Sequence, residues 1–170
     1  YSDYTGYTSY NTVDELRDPS RWQPLRVPTA DGGSVVQTFT TPQWGRVKPF
    51  VIDLKEHALE GPERVSSGQY ARDFAYLKGI GDIDSRVRTQ EQSEIAQFWY
   101  EDSPLGWNRI ANTVVQQRGL DDWSAARAFA LVNFALADGY IAGFEAKYRF
   151  RFWRPETAIR EAGTDGNPLT

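Results

Sequence analysis

The sequence predicts an all-α helical bundle that is preceded by an irregular N-terminal wrap with room for a short β-hairpin. Helix caps and helical spacing of apolar residues recur from Ser66 onward, and a long Ala-rich apolar stretch occupies residues 128–144. The first 65 residues are instead interrupted by Pro, Gly and Ser. We therefore predict two regions, an irregular wrap at 1–65 and part of a helical bundle at 66–170.

The predicted wrap contains turn signals and one β-prone stretch. A tyrosine recurs at every third position at the start of the chain, namely Tyr1, Tyr4, Tyr7 and Tyr10. This repeat indicates an ordered tail laid over a helical body rather than a strip that stacks a ligand. Residues 34–41 favour a strand, and we expect it to pair with a second strand near 47–54 through a turn at 41–45.

Three amphipathic helices follow, each with recognisable boundaries. The first begins at Ser66 or Ser67 and ends at Gly79 or Gly81. The second opens at a capping box, Thr89-Gln-Glu-Gln92, and the third is expected to end at Gly119. Their buried faces are predicted to carry apolar residues: Tyr70, Phe74 and Leu77, then Ile95, Phe98 and Trp99, then Trp107, Ile110, Ala111, Val114 and Val115.

The fourth helix is the longest and is predicted to be the buried centre of the bundle. It is capped by Asp121 or Asp122 and runs from about residue 123 to about 150, before Pro155 opens a short further helix. Its apolar stretch at 128–144 contains Asn133 and Asp138 and is shorter than the ~20 apolar residues that a membrane span requires. We therefore expect no membrane span.

Composition excludes several classes of function. The 170 residues carry a net charge of −4 and no basic tract, which argues against a nucleic-acid partner. Without Cys, neither a disulfide nor thiolate chemistry is available. The chain has no Met either, which indicates processing or excision from something longer. We expect a soluble protein and leave its compartment open, with an exported bacterial protein as one option.

Lys147 and Arg154 predict half of an oxyanion-binding site. They are seven residues apart at the end of the long helix, so on a continuous helix they would share one face roughly 10 Å apart along the axis. A Lys supplies a point charge and an Arg a planar fork, a pair that suits a tetrahedral anion. The alternative is that both cations only satisfy the carbonyl groups at the helix end.

Asp138 is costly to bury alone, so we expect it to meet an Arg or another hydrogen-bond donor. Two roles stay open, orientation of an anion-binding Arg or a structural buried pair. The single histidine, His57, is expected to be a surface residue without a catalytic role.

The helical half of the chain resembles the vanadium-dependent haloperoxidases and their relatives, the bacterial acid phosphatases and type 2 phosphatidic acid phosphatases. The segments that carry the resemblance are Arg88-Thr-Gln-Glu-Gln92, Phe98-Trp99, Trp107-Asn-Arg-Ile-Ala111, Ala135-Leu-Ala-Asp138 and Phe150-Arg-Phe-Trp-Arg-Pro155. The Phe-Trp flank of the last segment is more similar to haloperoxidases than to phosphatases. A looser likeness exists at Trp22-Gln-Pro-Leu25 and Trp44-Gly45.

The resemblance implies a helical bundle of the haloperoxidase and acid phosphatase type, with vanadate as cofactor, or phosphate in the phosphatase branch. Lys147 and Arg154 would then bind equatorial oxygens of the anion as catalytic and cofactor-binding residues. The substrates would be a halide and hydrogen peroxide, or a phosphate ester. Because oxyanion recognition alone does not separate these reactions, both remain open.

Two further motifs of that family, Pro-Ser-Gly-His and a Ser-Arg followed six residues later by His, do not occur in the 170 residues. We therefore expect this chain to be the N-terminal portion of a longer enzyme, inactive and prone to associate by itself, whose site a C-terminal segment or a second chain completes. The alternative from another class is a helical interaction domain without catalytic activity.

Overall fold

The computed structural model describes residues 12–18 and 20–170, so the tyrosine repeat lies outside the described residues. Six α-helices and one two-stranded sheet occur within that part of the chain. The helices are α1 (Val13–Arg17), α2 (Gly68–Gly81), α3 (Gln90–Phe98), α4 (Ser103–Arg118), α5 (Asp122–Phe150) and α6 (Pro155–Arg160). The predicted helical class is confirmed.

The helix ends lie where side-chain caps place them. Ser67 accepts a hydrogen bond from the Tyr70 N–H at the start of α2, and a complete capping box at Thr89 opens α3. Asp121 caps α5 by accepting a hydrogen bond from the Ser124 N–H. Gly119 ends α4 with φ +57°, a left-handed conformation that glycine adopts without steric cost.

The helix α5 ends at a left-handed residue. Arg151 has φ 46° and its N–H donates to the carbonyl of Lys147. The next residues run beside the segment that follows α1, because the Trp22 N–H donates to the Arg151 carbonyl at 2.8 Å and the Trp153 N–H donates to the Ser20 carbonyl at 3.0 Å. Pro155 then opens α6, as the sequence predicts.

The predicted hairpin between residues 34–41 and 47–54 is wrong. The strand β2 (Ser34–Val36) pairs instead with an earlier strand, β1 (Arg26–Pro28), in antiparallel register with Arg26 opposite Val36. The turn expected at 41–45 is present, because the Trp44 N–H donates to the Thr41 carbonyl at 3.1 Å, but a 3₁₀ turn at residues 44–46 follows it instead of a strand. The backbone N–H groups of residues 50–52 donate to Asp138 on α5, so they are not available for a strand ladder.

The segment from Thr40 to Ile52 lies along α5. A Cβ at Gly45 would come within 2.7 Å of the Glu145 Cα, so the close approach of the backbone to the helix requires glycine there. Further along, the Phe50 ring stacks on Phe134 with 4.9 Å between centroids. The wrap is therefore packed on α5 by direct backbone approach and by aromatic stacking.

Burial in the described chain is lower than the amphipathic patterns predict. A small core cluster lies between α2 and α6 and consists of Tyr70, Phe74, Trp153 and Ala158. On α5 the buried residues are Asp138 and Ile141, because α4 and the 44–46 turn cover only part of its circumference. The predicted inward positions that are instead exposed are Leu77, Ile95, Phe98, Trp99, Trp107 and Val114.

The expectation of a buried central helix is accordingly wrong for the described residues. Leu131 and Phe134 on α5 are exposed, as is Trp123 in its first turn. No helix in residues 12–18 and 20–170 has the length and apolarity that crossing a membrane demands.

Candidate oxyanion-binding site

Lys147 lies in the last turn of α5 with its ammonium group among aromatic rings. Its Nζ is 5.4 Å from the ring centroid of Phe144 and 5.5 Å from that of Tyr148. The side chain remains accessible to solvent. Of the groups that the structure describes, none forms a hydrogen bond or ion pair with this ammonium, so its three N–H donors are available to a ligand.

Arg154 lies at the N-cap of α6 in an extended conformation, with φ −78° and ψ 154°. The clash between a proline and the residue before it favours this backbone geometry. One guanidinium nitrogen, Nη1, donates to the Gln37 side-chain oxygen at 2.6 Å and to the Gln23 carbonyl at 3.4 Å. The guanidinium carbon stands 4.8 Å from the centroid of the buried Trp22 ring.

This arrangement leaves one edge of the Arg154 guanidinium without a protein partner in the described chain. A guanidinium has five N–H donors, and the two on Nη1 are used by Gln37 and Gln23. The remaining edge, formed by Nε and Nη2, has the spacing that binds two oxygens of a carboxylate or phosphate group.

The neighbouring arginines differ from Lys147 and Arg154 in that each is paired with a glutamate. Arg149 lies 3.0 Å from Glu145, and Arg151 forms a hydrogen-bonded ion pair with Glu15. Lys147 and Arg154 are contacted only by rings, carbonyl oxygen and amide oxygen in the described part of the chain. Two cations without a contacting carboxylate thus remain at the junction of α5 and α6.

The two unpaired cations are close enough to affect each other. Desolvation of its ammonium lowers the pKa of Lys147, and the positive charge of Arg154 lowers it further. Burial also lowers the pKa of Arg154, although the nearby Glu156 charge acts in the opposite direction. An anion bound between the two cations would relieve this repulsion.

The route by which Lys147 and Arg154 approach each other differs from the predicted one. They do not share the face of one continuous helix, because α5 ends at Phe150 and Arg151 adopts a left-handed conformation. The bend of the chain at Arg151, and not helical periodicity, determines where Arg154 lies relative to Lys147.

Residues of the wrap complete the surroundings of the two cations, and sequence reasoning missed most of them. The Phe39 ring bridges Trp22 and Tyr148, with centroid distances of 5.1 Å and 5.4 Å. The Tyr148 hydroxyl donates to the Thr40 carbonyl, and burial raises the pKa of Tyr148 to about 12. The aromatic residues of the wrap were a usable signal, whereas nothing in the sequence singled out Gln37.

Asp138 does not contact an arginine in the described residues. Its Oδ1 accepts a hydrogen bond from the Phe50 N–H at 2.6 Å, and its Oδ2 accepts from Val51 at 2.8 Å and Ile52 at 3.1 Å. Burial raises the pKa of this carboxyl, but the three backbone N–H groups together bring it below its ordinary value. The donor expected for Asp138 is therefore the backbone of the wrap.

The donor set of the site suits an oxyanion rather than a bare metal ion. Lys147 and Arg154 offer N–H groups and no lone pairs, so they bind the oxygens of an anion and not a cation. Within the described chain, no group of three or more His, Asp or Glu side chains has the arrangement needed to hold a metal. His57 is exposed, and its ring Nδ1 lies 3.0 Å from the Asp53 carbonyl oxygen.

Comparison with known proteins gives two matches and no solved structure. The family model of the VCPO second helical-bundle domain matches residues 127–167, which include α6 and most of α5. Vanadium chloroperoxidase from Curvularia inaequalis is 26% identical over an alignment of 184 positions, which covers 94% of this chain and 30% of that protein. No solved structure shows a significant match.

The family match covers both cations of the candidate site and Asp138. The chain spans less than a third of the length of the curated relative that it matches. Together the two matches support the vanadium haloperoxidase superfamily as the family of this chain.

Proposed function

We propose that Lys147 and Arg154 bind oxygens of a vanadate ion and that the protein carrying this chain oxidises halide with hydrogen peroxide. The observation that carries the proposal is the pair of cations without a contacting carboxylate at the end of α5, beside arginines that glutamates do pair. The likeness to a vanadium chloroperoxidase supports the choice of vanadate.

The two residues would act differently on the anion. Lys147 contributes a point charge and up to three N–H groups, while Arg154 contributes the Nε and Nη2 edge of its guanidinium as a planar fork. Both would withdraw electron density from the oxygens that they contact. Arg154 is already held by Gln37, the Gln23 carbonyl and Trp22 before an anion binds. Bound vanadate would supply the catalysis of halide oxidation by hydrogen peroxide.

The aromatic rings around Lys147 would strengthen the interaction. Phe144 and Tyr148 displace water from one side of the ammonium, and a charge pair gains strength where the local dielectric is low. Tyr148 is kept as a neutral phenol, because its pKa of about 12 lies well above neutral pH. No negative charge is therefore introduced beside the anion.

The test is vanadate binding and halide oxidation by the native protein with Lys147→Ala and Arg154→Ala variants. Each loses a charged hydrogen-bond donor, so vanadate affinity should fall about 10- to 100-fold. Arg109→Ala is the matched control, since it removes an exposed arginine of α4 that is paired with Glu101. Its vanadate affinity should match that of the unmodified protein.

Three results would overturn the proposal. Equal vanadate affinity in Lys147→Ala and the unmodified protein would remove the cation pair from the site. Hydrolysis of an aryl phosphate without halide oxidation would assign the phosphatase reaction instead. Absence of both activities, with no vanadate or phosphate binding, would favour a helical interaction domain.

A further inference from the structure

Gln37 is the residue of the wrap that directly holds the Arg154 guanidinium. Its side-chain oxygen accepts the shorter of the two Arg154 hydrogen bonds, at 2.6 Å. We propose that Gln37 is a positioning residue that directs the Nε and Nη2 edge of Arg154 toward the bound anion while leaving the arginine charge unneutralised. This inference rests on the proposed oxyanion site.

The geometry follows from the planarity of the guanidinium group. Gln37 and the Gln23 carbonyl bind Nη1, and the guanidinium carbon packs over the Trp22 ring. A rigid planar group that is bound at one nitrogen and packed over a ring has its opposite edge restricted as well. These contacts therefore orient the free edge before any anion arrives.

The hairpin explains how Gln37 is itself held. The Gln37 N–H donates to the Leu25 carbonyl at 2.9 Å, which extends the β1–β2 pairing by one step beyond the Arg26–Val36 pair. Both strands are exposed along their length, so burial of apolar side chains does not account for the hairpin. Its contribution is to place the partly buried Gln37 beside Arg154.

The Gln37 side chain is an uncharged amide, so it binds Arg154 without neutralising the arginine charge. A glutamate of the same shape would also accept the hydrogen bond, but it would form an ion pair as Glu15 does with Arg151. Such a pair would offset the arginine charge and weaken the attraction for an anion. The substitution Gln37→Glu thus changes the charge while it conserves the contact geometry.

The binding experiment compares vanadate and inorganic phosphate affinity of the native protein with three variants. Gln37→Glu should lower the affinity for both anions about tenfold while the thermal unfolding midpoint stays equal or rises. Gln37→Ala should lower affinity about three- to tenfold, because the free edge is no longer oriented. Thr38→Ala, an exposed neighbour, should leave affinity unchanged. Unchanged affinity in Gln37→Glu would overturn the inference.

A second measurement tests the positioning role without any anion. If the unmodified protein bound neither vanadate nor phosphate, the proposed function would be refuted, but this measurement would still decide whether Gln37 positions Arg154. The ¹⁵N relaxation order parameter of the Arg154 Nε–H reports how firmly the guanidinium is held. It should fall in Gln37→Ala and be retained in Gln37→Glu and Thr38→Ala. An order parameter that is the same in Gln37→Ala as in the unmodified protein would show that Gln37 does not position Arg154.

Discussion

The substitution Asp138→Asn should weaken the attachment of the wrap to α5. The carboxylate is 3% exposed and accepts three backbone hydrogen bonds, two of them on Oδ2. An amide has a single acceptor oxygen, so in its best orientation it keeps the bonds from Val51 and Ile52. The NH₂ group of the substituted side chain would then face the Phe50 N–H, and because both groups are donors, the hydrogen bond from Phe50 is lost.

The expected cost is worked from these three bonds. Losing the bond to Phe50 removes about 1.5–3 kcal/mol, because its acceptor is charged. The two retained bonds become neutral and are about half as strong. Relief from no longer burying a charge offsets part of the loss. The free energy of unfolding should therefore fall by about 2–4 kcal/mol.

Urea denaturation measures this free energy, and hydrogen exchange locates the change. Amide protection at residues 50–52 should fall in Asp138→Asn, most strongly at Phe50, while protection in α2 is retained. Asp84→Asn is the control, because the Asp84 carboxylate is exposed and makes no described contact, and it should shift stability by less than about 0.5 kcal/mol. Asp138→Asn stability within that same margin, with residues 50–52 still protected, would refute the reasoning.

Three further predictions follow from the same contacts. The pKa of Asp138 in the folded protein lies below its ordinary value of 3.8, so the ionised carboxylate stabilises the fold above pH 3.8. The difference in unfolding free energy between the unmodified chain and Asp138→Asn should therefore shrink as the pH falls through the folded pKa. Denaturation from about pH 6 to about pH 2 measures this difference. Gly45→Ala should lower the free energy of unfolding by about 1–3 kcal/mol, because the added Cβ meets the Glu145 backbone. Gly143→Ala has open space around its Cβ and should raise the melting temperature. Equal shifts in the melting temperature of the two variants would contradict this. Thr89→Ala should cost about 1 kcal/mol by removing the α3 capping box, and an unchanged unfolding free energy would show that the cap contributes nothing.

The helix boundaries could be predicted from the sequence because the residues that start or end a helix lie within a few positions of the boundary. The capping box at Thr89, the left-handed Gly119 and the proline that opens α6 each act on the adjacent backbone. Lys147 and Arg154 could be singled out for the same reason, since type and spacing are readable along the chain.

Contacts between distant segments could not be predicted in this way. Whether residues 50–52 form a strand depends on a carboxylate 86 to 88 positions later in the chain. Gln37 acquires a role only because the fold brings Arg154 to it across 117 positions. A glutamine in an exposed hairpin has no local feature that distinguishes it from a surface residue.

The long sequence separation between the wrap and α5 has a consequence for biosynthesis. A ribosome releases residues 50–52 well before it releases α5, the helix on which they dock. Loop-closure entropy opposes contacts between partners so far apart until the later partner has formed. The N–H groups of residues 50–52 therefore lack their Asp138 partner until α5 has formed, and we expect the wrap to dock after this helix rather than to nucleate folding.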